Sequence, residues 1–281
     1  MRQVLLDPNL DPEGLWVAED GENVVGFCVA IARRIPLENS PADADSGYVT
    51  ALGVHPESRR KGIGTELLQG AEAFLGERGR KLALISPYSP GYFAPGVEVA
   101  AYSEGLEFLK ARKYAEVYRP VSMQATLADL NTPPWVDAKL REFLDSGGDV
   151  AAWYPELTLP LLSFALHEFG GDWARYVREA VGDIVDGGDP NRLVAAYERS
   201  TRKVLGFSHY DGERFGPIGV AKDAQGRGLG HVLMFRTLEA QRRRGLRGSW
   251  FLWSDDETAR RLYDSAGFRE VRRFAVLKKE L

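Results

Sequence analysis

The sequence predicts an α/β protein built from two similar halves. The chain has 281 residues, more than a common domain of ~100–150 residues contains. Apolar runs typical of strands alternate with longer segments in which apolar residues follow the helical period. One pattern of strand, glycine turn and helix occurs twice, and such internal repetition indicates duplication. We therefore expect two domains.

The segment with the clearest chemistry is 214–234. An apolar run that ends at Val220 predicts a strand, and apolar residues from Leu229 onward have helical spacing. Glycines and Arg227 lie at the turn between them. The first amides of a helix lack intrahelical partners and bind anions. Glycine lets a phosphate approach the backbone, and arginine adds a bidentate donor. The segment therefore predicts an anion-binding turn.

The same pattern appears earlier in the chain, in residues 54–68. It aligns with residues 220–234 at a constant offset of 166 residues, and the alignment continues without a gap into the next apolar run. The aligned pairs are Val54 and Val220, Arg59 and Gln225, Gly62 and Gly228, Gly64 and Gly230, Leu68 and Met234, and Gly79 and Gly245. A turn that arose by chance would not keep register over about thirty residues, so the repeat indicates duplication.

These motifs resemble those of a known family. Gly53-Val54-His55-Pro56 followed by Arg59-x-x-Gly62-x-Gly64 resembles the acyl-CoA signature of the GCN5-related N-acetyltransferases, or GNAT family. Asp256-x-x-Ala259-x-x-Leu262-Tyr263-x-x-x-Gly267-Phe268 resembles the family's C-terminal signature. The resemblance implies two tandem GNAT-like domains, each a mixed, mostly antiparallel sheet flanked by helices. It also implies acetyl-CoA as co-substrate.

The resemblance assigns coenzyme-binding positions in both halves. In the second half these are Ile218, Gly219, Val220, Gln225, Gly226, Arg227, Gly228, Leu229, Gly230 and His231. In the first half they are Val54, Arg59, Arg60, Lys61, Gly62, Ile63, Gly64 and Thr65.

The two halves differ in their expected roles. We place the N-terminal domain at residues 1–127 and the C-terminal domain at 133–281, with prolines at the junction ending regular structure. The first half begins almost at its hairpin, so this copy is shortened at its start. It also has Leu109 where the second has Tyr263. Because leucine cannot donate a proton, we expect the first domain to be non-catalytic.

The second half is predicted to open with helices at 135–145, 157–169 and 172–186, separated by segments 147–149 and 170–171. A hairpin at 192–211 then repeats the hairpin of the first half. In the family, the helices before the hairpin shape the acceptor site. The candidates there by position are Tyr154, His167, Glu168, Trp173 and Tyr176.

The resemblance also implies catalytic roles. A backbone N–H near Val220 would bind the thioester carbonyl, and Tyr263 would give its proton to the departing thiolate. Glu213, near the start of the central strand, is the candidate general base, with Glu168 and His167 as alternatives. Family members also use a chain of waters for this proton.

Composition excludes several classes of function. A net charge of −4 gives no general reason to expect nucleic acid as a partner. The single cysteine, Cys28, cannot form an intrachain disulfide, which favours a reducing compartment. We find neither a signal peptide nor an apolar run long enough for a membrane helix, and no metal-ligand cluster. The sequence predicts a cytoplasmic protein, and a homodimer is left open.

Two other readings compete with an N-acetyltransferase active in its C-terminal half. One is an acyl-CoA-binding or sensing protein without transfer activity, which Tyr263 and the glycines argue against. The other is a nucleotide-binding protein, which the absence of a Gly-Lys-Ser/Thr ending weakens. We expect the acceptor to be a small-molecule amine or a peptide amine.

Overall fold

The computed structural model describes residues 6–38, 44–86, 88, 94–254 and 258–281, without the side chains of 258–260. The strands are β1 Leu15–Asp20, β2 Asn23–Ile31, β3 Ser46–Val54, β4 Leu82–Ile85, β5 Val97–Glu98, β6 Ala115–Tyr118, β7 Val121–Thr126, β8 Gly148–Ala152, β9 Leu193–Glu198, β10 Val204–Asp211, β11 Arg214–Val220, β12 Gly248–Ser254 and β13 Arg269–Glu280. The α-helices are α1 Ile63–Glu77, α2 Ser103–Lys110, α3 Pro134–Asp145, α4 Thr158–Phe169, α5 Gly171–Val185, α6 Leu229–Arg243 and α7 Thr258–Asp264. Short 3₁₀ helices lie at Pro12–Gly14, Pro56–Ser58, Pro155–Leu157, Pro190–Arg192 and Lys222–Ala224.

The chain divides into two compact units that do not follow the sequence order strictly. The first unit contains Met1–Val121 and Arg272–Leu281, and the second contains Ser122–Val271. Most of β7 therefore belongs to the second unit, and most of β13 belongs to the first.

The sheet of the first unit has the order β1-β2-β3-β4-β13, with β5 and β6 also paired to β13. Among the described strand pairs of this unit, β3 and β4 are parallel and the others are antiparallel. Helix α1 buries one apolar face on this sheet, since Leu67, Leu68, Ala71, Phe74 and Leu75 recur at helical spacing and are all buried.

Cys28 lies in the core of the first unit. Its side chain has no exposed surface, and burial raises the pKa of its thiol to about 12. The residue is therefore an inert core side chain at neutral pH.

The sheet of the second unit has the order β7-β12-β11-β10-β9-β8. Successive residues of β10 point to opposite faces, and they show which helices cover each face. A Cβ on Gly206 would meet Leu233 of α6 at 2.9 Å. On the other face the Phe207 ring lies 6.2 Å from Phe164 of α4 and 5.8 Å from Trp173 of α5. Helix α6 therefore lies on one face, and α4 with α5 on the other.

The backbone repeats between the units as the sequence predicts. Helices α1 and α6 each have 15 residues. The residue before each helix, Gly62 or Gly228, has a positive φ of 88° or 83°. Two positions earlier, Arg60 and Gly226 have φ values of 63° and 76°. Equal helix lengths and matching left-handed positions support the duplication.

Most predicted elements of the second half are confirmed. The three expected helices appear as α3, α4 and α5. The prediction of a mere separator at 147–149 was wrong, since Gly148–Ala152 forms edge strand β8. Gly148 is required there because a Cβ would lie 2.3 Å from the Phe143 ring. Asp256 of the C-terminal motif lies outside the described residues.

None of the described helices is both long and apolar enough to cross a membrane.

Candidate functional site

Strands β11 and β12 diverge in the second unit. Within the described chain they pair only at Arg214 and Trp250, where the Trp250 amide donates to the Glu213 carbonyl at 2.9 Å. Beyond that point β11 stays paired with β10, so a gap opens between residues 215–220 and 251–254. We call this gap the wedge.

The wedge exposes backbone amides of β11. The Ala221 amide donates to the Leu205 carbonyl of β10 at 2.8 Å. Because N–H groups alternate in direction along a strand, those of Ile218 and Val220 point away from β10 and into the wedge. These two positions were predicted from the sequence. Their amides can bind a carbonyl oxygen or an oxyanion.

The glycine turn, residues 225–230, follows the open end of β11. The Gln225 side chain donates to the Val220 carbonyl at 3.3 Å, which holds the turn against the strand. No side chain caps α6 in the described structure, so the amides of its first turn are available to an anion. Leu229 contributes only backbone, since its side chain is 1% exposed and lies in the core.

Tyr263 of α7 lies beside the point from which the two strands diverge. Its ring centroid is 4.3 Å from that of Phe251 on β12 and 6.1 Å from that of Phe215 on β11. Phe268 completes the cluster at 5.5 Å. Adjacent Leu262 is the nearest side chain to the position of a Cβ on Gly230, at 3.8 Å. Helix α7 therefore extends from the glycine turn to the wedge.

Glu213, the predicted base, lies at the closed end of the wedge. Its exposed carboxylate accepts a hydrogen bond from the Gly248 amide at 3.1 Å. Seven residues separate it from Val220, or roughly 23 Å of extended strand at ~3.3 Å per residue. This geometry gives Glu213 a structural contact at the turn of the β10–β11 hairpin.

The other face of β11 is covered by aromatic side chains of α4 and α5. Phe169 and Trp173 stack with ring centroids 4.2 Å apart. A Cβ on Gly219 would lie 2.4 Å from Phe169 and 2.7 Å from Trp173, so this pair rests directly on the strand. Of the other acceptor-site candidates, His167 and Glu168 are exposed.

A buried histidine lies on the strand next to β11. His209 is 6% exposed, and its Nδ1–H donates to the Gly216 carbonyl at 3.2 Å. Burial lowers the pKa of this imidazole to about 4. The ring is therefore neutral at pH 7, and it fixes the register of β10 and β11 where their pairing shifts.

Helix α3 also contributes to the glycine turn, a contact that was not predicted from the sequence. A Cβ on Gly228 would lie 2.8 Å from Cγ of Lys139. The Trp135 ring contacts the His231 ring edge to face at 4.7 Å. These contacts join elements about ninety residues apart, so no local pattern could have revealed them.

Comparisons with known proteins identify the family. The model of the acetyltransferase (GNAT) family matches residues 2–86, and the model of the acetyltransferase (GNAT) domain matches 189–270. A mycothiol acetyltransferase from Mycobacteroides abscessus is 31% identical over 268 residues, which cover 90% of this chain and 80% of that protein. The chain belongs to the GNAT family. It is a tandem N-acetyltransferase that uses acetyl-CoA as its co-substrate.

Solved structures share the fold of this acetyltransferase. A tandem GNAT protein from the clavulanic acid biosynthesis pathway matches with a TM-score of 0.63 and 20% identity, covering 96% of this chain and 85% of that one. The GCN5-related glucosamine N-acetyltransferase region of a fungal multidomain β-N-acetylglucosaminidase matches with a TM-score of 0.76 and 19% identity. It covers 94% of this chain and 32% of that one. The predicted tandem α/β fold is confirmed.

The second unit of this acetyltransferase fits the diphosphate of acetyl-CoA. The position of a Cβ on Gly230 lies 3.8 Å from its nearest neighbour, Leu262, and 3.9 Å from Val220, so the backbone there makes only ordinary van der Waals contacts. Uncapped amides and the exposed side chain of Arg227 supply donors suited to phosphate.

The corresponding turn of the first unit is more enclosed. At Gly64 a Cβ would lie 3.4 Å from the Phe108 ring. The Arg112 guanidinium stacks 3.7 Å from the centre of that ring and donates to the Thr65 hydroxyl. Thr65, predicted to bind the coenzyme, therefore has a protein partner for its hydroxyl. Leu109, at the position of Tyr263, is buried.

The remaining predicted residues of the first turn differ in exposure. Arg60, Lys61 and Gly62 are exposed, whereas Val54 and Ile63 are half-buried. The Arg59 guanidinium folds back to donate to the Val54 carbonyl at 3.1 Å. This contact corresponds to that of Gln225 with Val220 in the second unit.

Proposed function

We propose that this enzyme transfers an acetyl group directly from acetyl-CoA to a small-molecule amine, with its active site in the C-terminal half, residues 133–281. The N-terminal half, residues 1–127, is proposed to be non-catalytic. One observation carries this assignment. In the second unit a phenol, that of Tyr263, lies beside Phe215 and Phe251 where the two strands diverge, whereas leucine occupies that position in the first unit.

The backbone of β11 has the first role in the proposed reaction. The N–H groups of Ile218 and Val220 hydrogen-bond to the thioester carbonyl oxygen and stabilise the oxyanion when the amine attacks. Amides fixed by pairing with β10 need no reorganisation during the reaction, which makes them effective donors.

Tyr263 has the second role, as the general acid. The phenolic O–H gives its proton to the thiolate that departs as the carbon–sulfur bond breaks. A free thiol has a pKa of about 8.5, so the thiolate leaves readily and the acid only assists.

The proton of the attacking amine passes to water in this proposal. Glu213 lies in the turn before β11, and its exposed carboxylate already binds the Gly248 amide. The candidate base from the sequence is thereby assigned a structural role.

Glu213→Gln is therefore expected to keep kcat within about twofold of the parent, because the glutamine oxygen still accepts the Gly248 N–H. The pH profile of kcat/KM is expected to stay unchanged. Initial rates between pH 6 and 9 measure this. Loss of the acidic limb of the profile would restore Glu213 as the general base.

The acceptor is proposed to be a mycothiol-related small-molecule amine. The support is the name shared by the curated relatives, among them the 31% identical protein from Mycobacteroides abscessus and a 34% identical one from Thermomonospora curvata. Stacked Phe169 and Trp173 would line the acceptor side of β11.

Thiol release from acetyl-CoA tests the proposed transfer, using a panel that includes mycothiol precursors, simple amino sugars and a peptide amine. We expect release to depend on an amine and to be fastest with a mycothiol precursor. Saturating acetyl-CoA should also raise the melting temperature, since 100 Kd of a ligand stabilises by about 2.7 kcal/mol. Stabilisation without thiol release from any amine would instead indicate a sensor.

A further inference from the structure

Helix α3 lies between β7 and β8 in the chain, and its side chains lie along the glycine turn. Trp135, Lys139 and Phe143 are spaced four residues apart, so they share one helix face. Trp135 contacts His231, as described above. The Lys139 side chain crosses Gly228, and the Phe143 ring lies 5.8 Å from the Arg227 guanidinium carbon.

The middle residue of this face is a cation, although its stem is packed. Cβ, Cγ and Cδ of Lys139 all lie within 3.2 Å of the place a Gly228 Cβ would take. An apolar residue would fill this position equally well if packing were its whole role. The lysine adds an ammonium group beside a turn whose amides already face an anion.

The Lys139 ammonium is held by a weak partner. It bonds to Glu142 at 2.7 Å, with 40% of the lysine side chain and 64% of the glutamate side chain exposed. Exposed ion pairs of this kind contribute about 0–1 kcal/mol. The whole diphosphate and the 3′-phosphate of CoA each carry more negative charge than the Glu142 carboxylate. Either group can therefore displace Glu142 from Lys139 at little cost.

We propose that Lys139 is a phosphate-binding residue for acetyl-CoA, contributed by a helix outside the strand-turn-helix motif. The inference rests on the proposed function in that it places the coenzyme in the second unit. The chemistry is recognition of a phosphate by an ammonium group, and the phosphate belongs to either the diphosphate or the ribose 3′-phosphate.

Calorimetric titration of Lys139→Met with CoA tests this proposal, because methionine keeps the stem over Gly228 and removes the charge. We expect the Kd to rise about tenfold or more, as loss of a charge-assisted hydrogen bond commonly costs ~1.5–3 kcal/mol. The same titration with dephospho-CoA locates the contact. An equal loss identifies the diphosphate, and no loss identifies the 3′-phosphate.

Lys110→Met is the matched control. Lys110 forms an i, i+3 pair of the opposite order with Glu107 at 3.0 Å, is similarly exposed and lies in the first unit. It is expected to leave CoA affinity unchanged. Glu142→Gln removes the competing carboxylate and is expected to bind CoA at least as tightly as the parent.

A Lys139→Met protein that binds CoA within twofold of the parent would overturn the proposal. A parent that binds CoA while Gly228→Ala and Lys139→Met both leave its affinity intact would move the coenzyme out of this turn, which contradicts the proposed function as well. Thermal unfolding of each variant without ligand shows that it is folded.

Discussion

Tyr263→Phe is expected to lower kcat about 100-fold while the Kd for CoA changes less than twofold. A positioned general acid commonly contributes a factor of ~10²–10⁴, and the low end applies because a thiolate needs limited help to leave. The substitution removes one oxygen and keeps the ring among Phe215, Phe251 and Phe268. Thiol release under saturating substrates gives kcat, and calorimetry gives the Kd.

The matched control for this substitution lies in the first unit. Tyr114 is a buried tyrosine whose hydroxyl donates to Glu72 at 3.0 Å. Tyr114→Phe should lower stability, because it removes a buried hydrogen bond, and leave kcat unchanged. If Tyr263→Phe turned over within threefold of the parent, the phenol would have no part in proton transfer.

Gly228→Ala is expected to weaken acetyl-CoA binding at least tenfold, and its counterpart Gly62→Ala is expected to leave binding within twofold. Both positions have a positive φ, so each alanine costs about 1–2 kcal/mol in backbone strain. The two positions differ in the space available for a methyl group. Alanine at 228 meets Lys139 at 2.8 Å, whereas at 62 the nearest atom, an oxygen of Glu66, is 3.8 Å away. Titration with acetyl-CoA and thermal unfolding of both variants measure the two effects.

This pair of variants tests which half binds the productive coenzyme. Because both alanines strain the backbone, both variants should lose stability. Because the coenzyme is proposed to bind at the turn of Gly228, only Gly228→Ala should lose affinity for acetyl-CoA. The reverse result, with Gly62→Ala binding poorly and Gly228→Ala binding normally, would assign the site to the first unit.

Local sequence patterns predicted the elements that local physics determines. The glycine turns, their left-handed positions and the helices after them depend on residues adjacent in the chain, so Gly62 and Gly228 appear where expected. Strand β8 was missed because Gly148 signals a break. The glycine is there for another reason, since the Phe143 ring fills the space of a side chain.

The candidate site was predicted in its backbone and less well in its side chains. Ile218 and Val220 follow from the strand that precedes the turn, and the structure directs their amides into the wedge. Lys139 could not be found, because its contact with Gly228 depends on how α3 packs. Glu213 was chosen by its proximity to the central strand, but sequence position does not show which end of the wedge is closed.

The position of the last strand in the first unit affects how the chain folds during synthesis. Residues 272–280 form the strand to which β4, β5 and β6 all pair, yet they follow the whole of the second unit in the sequence. During synthesis, the unit translated first must therefore wait for the segment translated after the second unit before its own sheet is complete. Domains commonly fold one after another as they leave the ribosome, but the first unit of this chain cannot complete its sheet in that order. Until β13 has been synthesised, the edge of β4 that pairs with it stays exposed.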